Sequence, residues 1–279
     1  MRTVTSLHQA VRDDIHNLVT FRALPIPGLE DLNPFLFLNH HGPQNYETNN
    51  SGLPFGPHPH RGFETVTFIL EGDIAHKDTA GNESVIHAGG VQWMTAGSGL
   101  IHSEVSSSDF KKTGGPLEIL QLWVNLPARL KMTKPWYLGL QKKNIPIYER
   151  DSGRLSVQLI SGKWEDNLGP VPTLHPVTTM MVSMREESAY EFSIPEERIF
   201  FYVISGFVTV NGKEVGMRET VTFDQSGDLI SVKTEMGARI LLCHARTLEE
   251  PIASYGPFVM NTMDEIQQAI KDFQSGKIS

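Results

Sequence analysis

Short apolar runs, broken at regular intervals by glycine, asparagine and aspartate, set the pattern of this chain. Thr65-Val66-Thr67-Phe68-Ile69-Leu70 closes on Glu71-Gly72-Asp73, and Val91-Gln92-Trp93-Met94-Thr95 runs into Gly97-Ser98-Gly99. Leu117-Glu118-Ile119-Leu120-Gln121-Leu122-Trp123-Val124 alternates along its length, as a strand with one buried face does. Ala80-Gly81-Asn82 is a predicted hairpin tip, because glycine and asparagine tolerate positive φ. Strands this short and this evenly spaced predict an all-β sandwich or barrel.

The second half repeats the theme. A β run from Arg198 to Ser205 ends at Gly206, and Phe207-Val208-Thr209-Val210-Asn211-Gly212-Lys213 reads as strand, Asn-Gly turn, strand. Phe68-Ile69-Leu70-Glu71-Gly72 and Tyr202-Val203-Ile204-Ser205-Gly206 are both apolar strands closing on glycine, which predicts an internal duplication of two β-barrels. The proline-bearing segment from Pro127 to Pro146 is read as the crossing between them, giving domains at 1–132 and 133–279. The tail carries one helix. Thr262-Met263-Asp264-Glu265 is a capping box, Ile266, Ala269, Ile270 and Phe273 form an apolar stripe for packing against a barrel, and Gly276 stops it.

Composition narrows the class. With 279 residues, 39% hydrophobic, the chain can bury a sizeable core. A net charge of -8 without a basic cluster argues against direct nucleic-acid binding. Lys131, Lys134, Lys142 and Lys143 are read as a solvated basic surface. Cys243 is the single cysteine and lies in an apolar run, so it predicts a small buried residue, no intramolecular disulfide and no cysteine-based zinc site. No segment has the length of a membrane span or the form of a signal peptide, and the expectation is a cytoplasmic monomer, with nuclear residence open in a eukaryote.

The chemistry is concentrated in two short motifs. His58-Pro59-His60 places two imidazoles on one face of a strand, and Glu64, four residues after His60, has the same parity. His102-Ser103-Glu104 repeats the spacing about forty residues later, behind a glycine-rich turn. Five side chains of ligand type can thus converge on one ion inside a barrel. Mixed nitrogen and oxygen donors suit Fe, Mn, Co, Ni or Cu. Carrying the spacing between Gly72 and Gly206 back to these positions sets His58 against Phe192, His60 against Ile194 and Glu64 against Arg198. The second copy has lost the motif, and His175 and His244 stand there singly as structural residues. One metal is expected, in the first half.

Several motifs in order resemble the pirin family: the run from His58 to Thr67, Gln92-Trp93-Met94-Thr95-Ala96-Gly97, Gly99-Leu100-Ile101-His102-Ser103-Glu104, and Gly256-Pro257-Phe258-Val259-Met260-Asn261-Thr262 in the tail. The resemblance covers nearly the whole chain. It implies a bicupin, two tandem cupin (double-stranded β-helix, jelly-roll) barrels packed together with a short C-terminal helix and a metal in the first barrel only. It also implies His58, His60, His102 and Glu104 as metal ligands, whereas the general cupin pattern offers Glu64. Both glutamates share the inward parity on spacing alone, and the pirin pattern selects Glu104. Asn39-His40-His41 departs from the family, which often carries an acidic residue there.

By the same resemblance the metal is iron(II), with Mn, Co, Ni, Cu and Zn as alternatives. The activity implied is that of a flavonol (quercetin) 2,3-dioxygenase, which opens the central ring with O2 and releases carbon monoxide, with Glu104 or Glu64 accepting the proton of an enolic hydroxyl. Phe55, Trp93 and Met94 are candidate pocket walls. The alternative is a non-catalytic, metal-dependent redox-sensing protein that binds a transcription factor or metabolic enzyme as its partner. A third option is a cupin isomerase, or a dioxygenase of another enol, built on the same ligands.

Overall fold

The computed structural model describes residues 1–195 and 198–278. Strands make up most of it, and among the described residues there are two α-helices, Ser108–Thr113 and Met263–Gln274. The chain divides into two compact units, each assembled from separated stretches. One comprises Arg12–Arg22, Phe35–Lys143 and Leu248–Ser279, and the other Met1–Val11, Ala23–Pro34 and Asn144–Thr247.

The first unit holds the predicted ligand motifs. Its larger sheet runs in the order Trp136–Leu140, Val91–Thr95, Phe63–Glu71, Gly115–Asn125, Phe35–Tyr46, Thr20–Leu24, Val11–Arg12, the last two reaching its boundary. Its smaller sheet is Phe55–His60, Leu100–Val105, Asp73–Asp78, Glu83–His87. Neighbouring strands Phe35–Tyr46, Gly115–Asn125, Phe63–Glu71, Val91–Thr95 and Trp136–Leu140 of the larger sheet, and those of the smaller sheet, pair antiparallel. Phe63–Glu71 is buried on both faces up to Glu71, which explains its unbroken apolar and threonine-rich sequence. Leu100–Val105 is buried only at alternate residues, and His102 and Glu104 are on the buried face.

The second unit repeats this layout. Seven strands run Val4–Gln9, Glu219–Phe223, Arg198–Gly206, Ala238–Ala245, Val177–Met184, Leu155–Ser161, Ile147–Arg150. Four more run Ser188–Ser193, Leu229–Thr234, Val208–Val210, Lys213–Val215. Asn211 and Gly212 both take positive φ, 46° and 81°, as the Asn-Gly turn requires. The duplicated jelly-roll read from the sequence is therefore present.

The contact units depart from a division at residue 132. Trp136–Leu140 hydrogen-bonds along Val91–Thr95, so the proline-rich crossing carries an edge strand of the first barrel. The tail also belongs with the first barrel. Its hairpin Ala253–Tyr255 and Phe258–Met260 and its helix bury Phe258, Met260, Ile266, Ala269 and Ile278 in one cluster with Ile101. Conversely, Val4–Gln9 pairs with Glu219–Phe223 and so completes the second barrel from the opposite end of the chain.

Lys131 corrects the expectation of a solvated basic surface. It is 1% exposed, and its ammonium donates to Asn125 Oδ1 (2.6 Å), Gly62 O (2.9 Å) and Val259 O (3.2 Å). Three acceptors compensate its desolvation, while burial still lowers its pKa to about 8. Lys131 thereby ties the turn at Gly62 to the tail. Cys243 is buried as expected, and burial pushes its thiol up.

The helix starts as predicted. Thr262 Oγ1 accepts from Glu265 N–H, and the Glu265 carboxylate accepts from Thr262 N–H. Ile266 and Ala269 are buried, but Phe273 is 39% exposed and touches the cluster only through an edge contact with Phe258. Replacing Thr262 by alanine removes one cap bond and is expected to cost about 1 kcal/mol, seen as a lower urea midpoint.

Candidate metal centre

Phe55–His60 and Leu100–Val105 lie side by side, with His58 opposite His102 and His60 opposite Leu100. This register brings three imidazoles together. Their ring centroids are 4.4 Å (His58 to His102), 4.8 Å (His58 to His60) and 5.0 Å (His60 to His102) apart. One ligand nitrogen from each lies within 4.8 Å of the other two, so the group can hold a metal ion.

The hydrogen bonds select which nitrogens are available. His58 Nδ1 donates to Gly56 O at 2.7 Å and His60 Nδ1 to Pro257 O at 3.3 Å, which leaves Nε2 of each with its lone pair. Neither ring nitrogen of His102 makes a hydrogen bond, although the residue is 1% exposed. Burial, and then the neighbouring His58, lowers the pKa of His60 to about 3, and burial with the surrounding histidines holds His102 well below its ordinary value. These two rings are therefore neutral at physiological pH, the form that ligates. Buried lone pairs facing one another without a donor are unfavourable, and a shared cation would satisfy them. The donor set fits a divalent transition metal.

Glu104 faces the same interior two residues beyond His102. The group within 4.8 Å comprises the three histidines, while the Glu104 carboxylate is held by Thr67 Oγ1 (2.9 Å), Gln121 Nε2 (2.6 Å) and Gln92 Nε2. All three donors come from the larger sheet, where Thr67 stands between Gln92 and Gln121 in register.

Glu64 does not join them. Parity breaks between the two strands, because Arg61 and Gly62 intervene and Gly62 turns the chain with φ +89. Thr67 reaches the interior, so the odd-numbered residues of Phe63–Glu71 face inward and Glu64 faces the other side. There its Oε1 accepts from Thr95 Oγ1 at 2.6 Å. Trp93 lies opposite Val66 on that same outer face and is no pocket wall, whereas Met94 shares the parity of Gln92.

Other interior residues were not picked out by the sequence reading. His76 stands opposite Glu104, its ring 5.4 Å from that of His102 and stacked on Tyr137 at 4.0 Å. His76-x-Asp78 has the same two-residue spacing as His58-x-His60, a signal that could have found it. Trp123 and Phe63 line the other side, with Trp123 5.4 Å and Phe63 5.1 Å from the His60 ring. Phe55 lies 5.2 Å from His41.

The second barrel shows what this interior becomes without ligands. Phe192 pairs with Ile230 where His58 pairs with His102, and Val232 follows in the place of Glu104. The same ladders set Phe201, Val221 and Leu242 in the places of Thr67, Gln92 and Gln121. These residues, with Ile194, belong to one apolar core. The whole polar shell has been exchanged for hydrocarbon. His175 Nε2 donates to Arg246 O, a structural contact.

Comparison with known proteins agrees with this architecture. Residues 17–124 match Pirin, and 179–279 match the Pirin C-terminal cupin domain. A pirin-like protein of Caulobacter vibrioides is 38% identical over 263 residues, covering 92% of this chain and 91% of the relative. The chain belongs to the pirin family. Another pirin relative, a pirin-like protein of Solanum lycopersicum, is 36% identical over 262 residues, covering 92% of this chain and 85% of its own. The crystal structure of a quercetin 2,3-dioxygenase from Acinetobacter baumannii superposes on this pirin with a TM-score of 0.93, at 33% identity, covering 100% and 99% of the two chains.

Glu64 generates a pH prediction. Burial pushes its carboxyl from 4.5 up to about 7, against the hydrogen bond from Thr95. The folded state thus retains a proton that the unfolded chain releases, so this contribution to stability is complete below pH 4.5 and is lost as pH rises through 7. Glu64→Gln, which mimics the protonated form, should raise stability at pH 8 by about 1–3 kcal/mol and flatten the decline between pH 5 and 8. Urea denaturation at the two pH values measures it.

Proposed function

We propose that this pirin is a metal-dependent dioxygenase of the quercetin 2,3-dioxygenase type, acting on a flavonol with O2 and releasing carbon monoxide. The observation that carries the reading is the trio of converging imidazoles, two of them buried, with its polar shell, in one barrel only. The likeness to a quercetin 2,3-dioxygenase over the full length of both chains supports the substrate class.

His58, His60 and His102 would hold iron(II), with Glu104 as the fourth ligand. The bound ion would supply a Lewis acid that brings an enolic oxygen and dioxygen together. The protein's own part is positional and acid–base. Gly56 and Pro257 carbonyls fix the orientation of two of the imidazoles. Thr67, Gln92 and Gln121 keep the Glu104 carboxylate beside His102, where it would take the proton of the enolic hydroxyl. Phe63, Trp123 and Tyr137 supply flat apolar surface suited to an aromatic ring system.

Anaerobic reconstitution with iron(II), followed by quercetin and O2, should consume the flavonol with release of carbon monoxide. His58→Ala with His60→Ala should reduce bound metal to near zero by elemental analysis and abolish turnover. Full activity in that double variant would remove the proposed centre. Stoichiometric metal without flavonol consumption in the native protein would favour a non-catalytic binding role.

A further inference from the structure

The interior beside the three histidines contains a group that the proposed chemistry leaves unused. His76 is 1% exposed, and its Nε2 lies 3.0 Å from Asp78 Oδ2. Asp78 also accepts from the backbone N–H and side-chain amide of Asn82. Burial pushes the Asp78 carboxyl up, but the bonds from His76 and Asn82 outweigh it and hold the group below its ordinary range. An ionised carboxylate only accepts, so the His76 hydrogen is on Nε2 and the lone pair on Nδ1. Stacking on Tyr137 fixes the ring plane, with 10° between the two rings.

Nδ1 is buried and has no hydrogen-bond partner. Asn39 Oδ1 and Trp123 Nε1, on strands of the same barrel flanking Gln121 and Thr65 in register, are in the same condition. The two acceptors, His76 Nδ1 and Asn39 Oδ1, lack a donor, and the Trp123 Nε1–H donor lacks an acceptor. The second barrel offers a contrast: the His76 position, opposite Val232, is Val210, part of the apolar core.

We infer that His76 orients a hydroxylated ligand in the first barrel: its Nδ1 accepts a hydrogen bond from a ligand hydroxyl, and Asp78 fixes the tautomer that makes this acceptor available. The inference rests on the reading that the barrel receives a hydroxylated aromatic molecule.

Zinc(II)-loaded protein, which binds without turnover, provides the test. Dissociation constants for quercetin and for its fully O-methylated analogue are measured by tryptophan fluorescence in the native protein, His76→Phe and Asp78→Asn, with zinc content determined in each. His76→Phe keeps an aromatic ring on Tyr137 and should retain zinc, weaken quercetin about tenfold and leave the methylated analogue unchanged. Asp78→Asn should weaken quercetin several-fold, and it carries the test alone if the phenylalanine variant does not fold. Unchanged quercetin affinity in a folded variant overturns the inference, as does loss of zinc, which would make His76 a ligand. Failure of the native protein to bind quercetin overturns it as well. A native-to-variant difference in binding, without carbon monoxide release from the iron form, would instead refute the turnover reading and leave the role of His76 standing.

Discussion

A Cβ at Gly62 would stand 2.0 Å from Val259 O, so only glycine fits the turn that joins the two histidine-bearing and threonine-bearing strands. The site depends on that constraint. The turn ends Phe55–His60 in one sheet and begins Phe63–Glu71 in the other, and it resets which face looks inward. Three further contacts hold it in place. Val259 N–H donates to Arg61 O, Arg61 pairs with Asp272 of the tail helix at 2.9 Å, and Lys131 bridges Gly62 and Val259. Pro257, in the same tail, accepts from His60. The tail is therefore part of the metal centre's support, although it contributes no ligand.

The two barrels form an internal comparison with the backbone held nearly constant. In one, the interior carries imidazoles, a carboxylate, two primary amides and a threonine hydroxyl. In the other, phenylalanine, isoleucine, leucine and valine fill the same ladder positions. Full burial of such side chains stabilises by about 1.5–3 kcal/mol each. The first barrel forgoes that gain over much of its interior, and some of its buried nitrogens, both of His102 and Nδ1 of His76 among them, lack protein partners. A cavity that gives up hydrocarbon packing for unpartnered lone pairs is built around something it must bind.

Much of this was legible from residue order. The strand pattern, the duplication, the empty second copy and the capped tail helix follow from periodicity and turn chemistry, which are local. The convergence of His58, His60 and His102 followed from alternation within short strands, also local. Glu64 was misplaced because alternation was carried across Gly62, where positive φ interrupts it. Lys131 looked solvated because its acceptors, Gly62 and Val259, come from distant parts of the sequence. His76 and the Thr67, Gln92 and Gln121 shell are recognisable only once strand neighbours are known. The two ends of the sequence each pack with the unit formed mainly by the other half for the same reason, since both pair non-locally.

The placement of Val4–Gln9 has a consequence for how the molecule is made. This strand pairs with Glu219–Phe223, more than two hundred residues further along the chain. Until that partner has been made, a β segment with an unfilled edge must remain unpaired or be shielded. The second barrel gains its Val4–Gln9 edge, and the first its tail hairpin and helix, across long stretches of chain, so both barrels depend on late, non-local pairing.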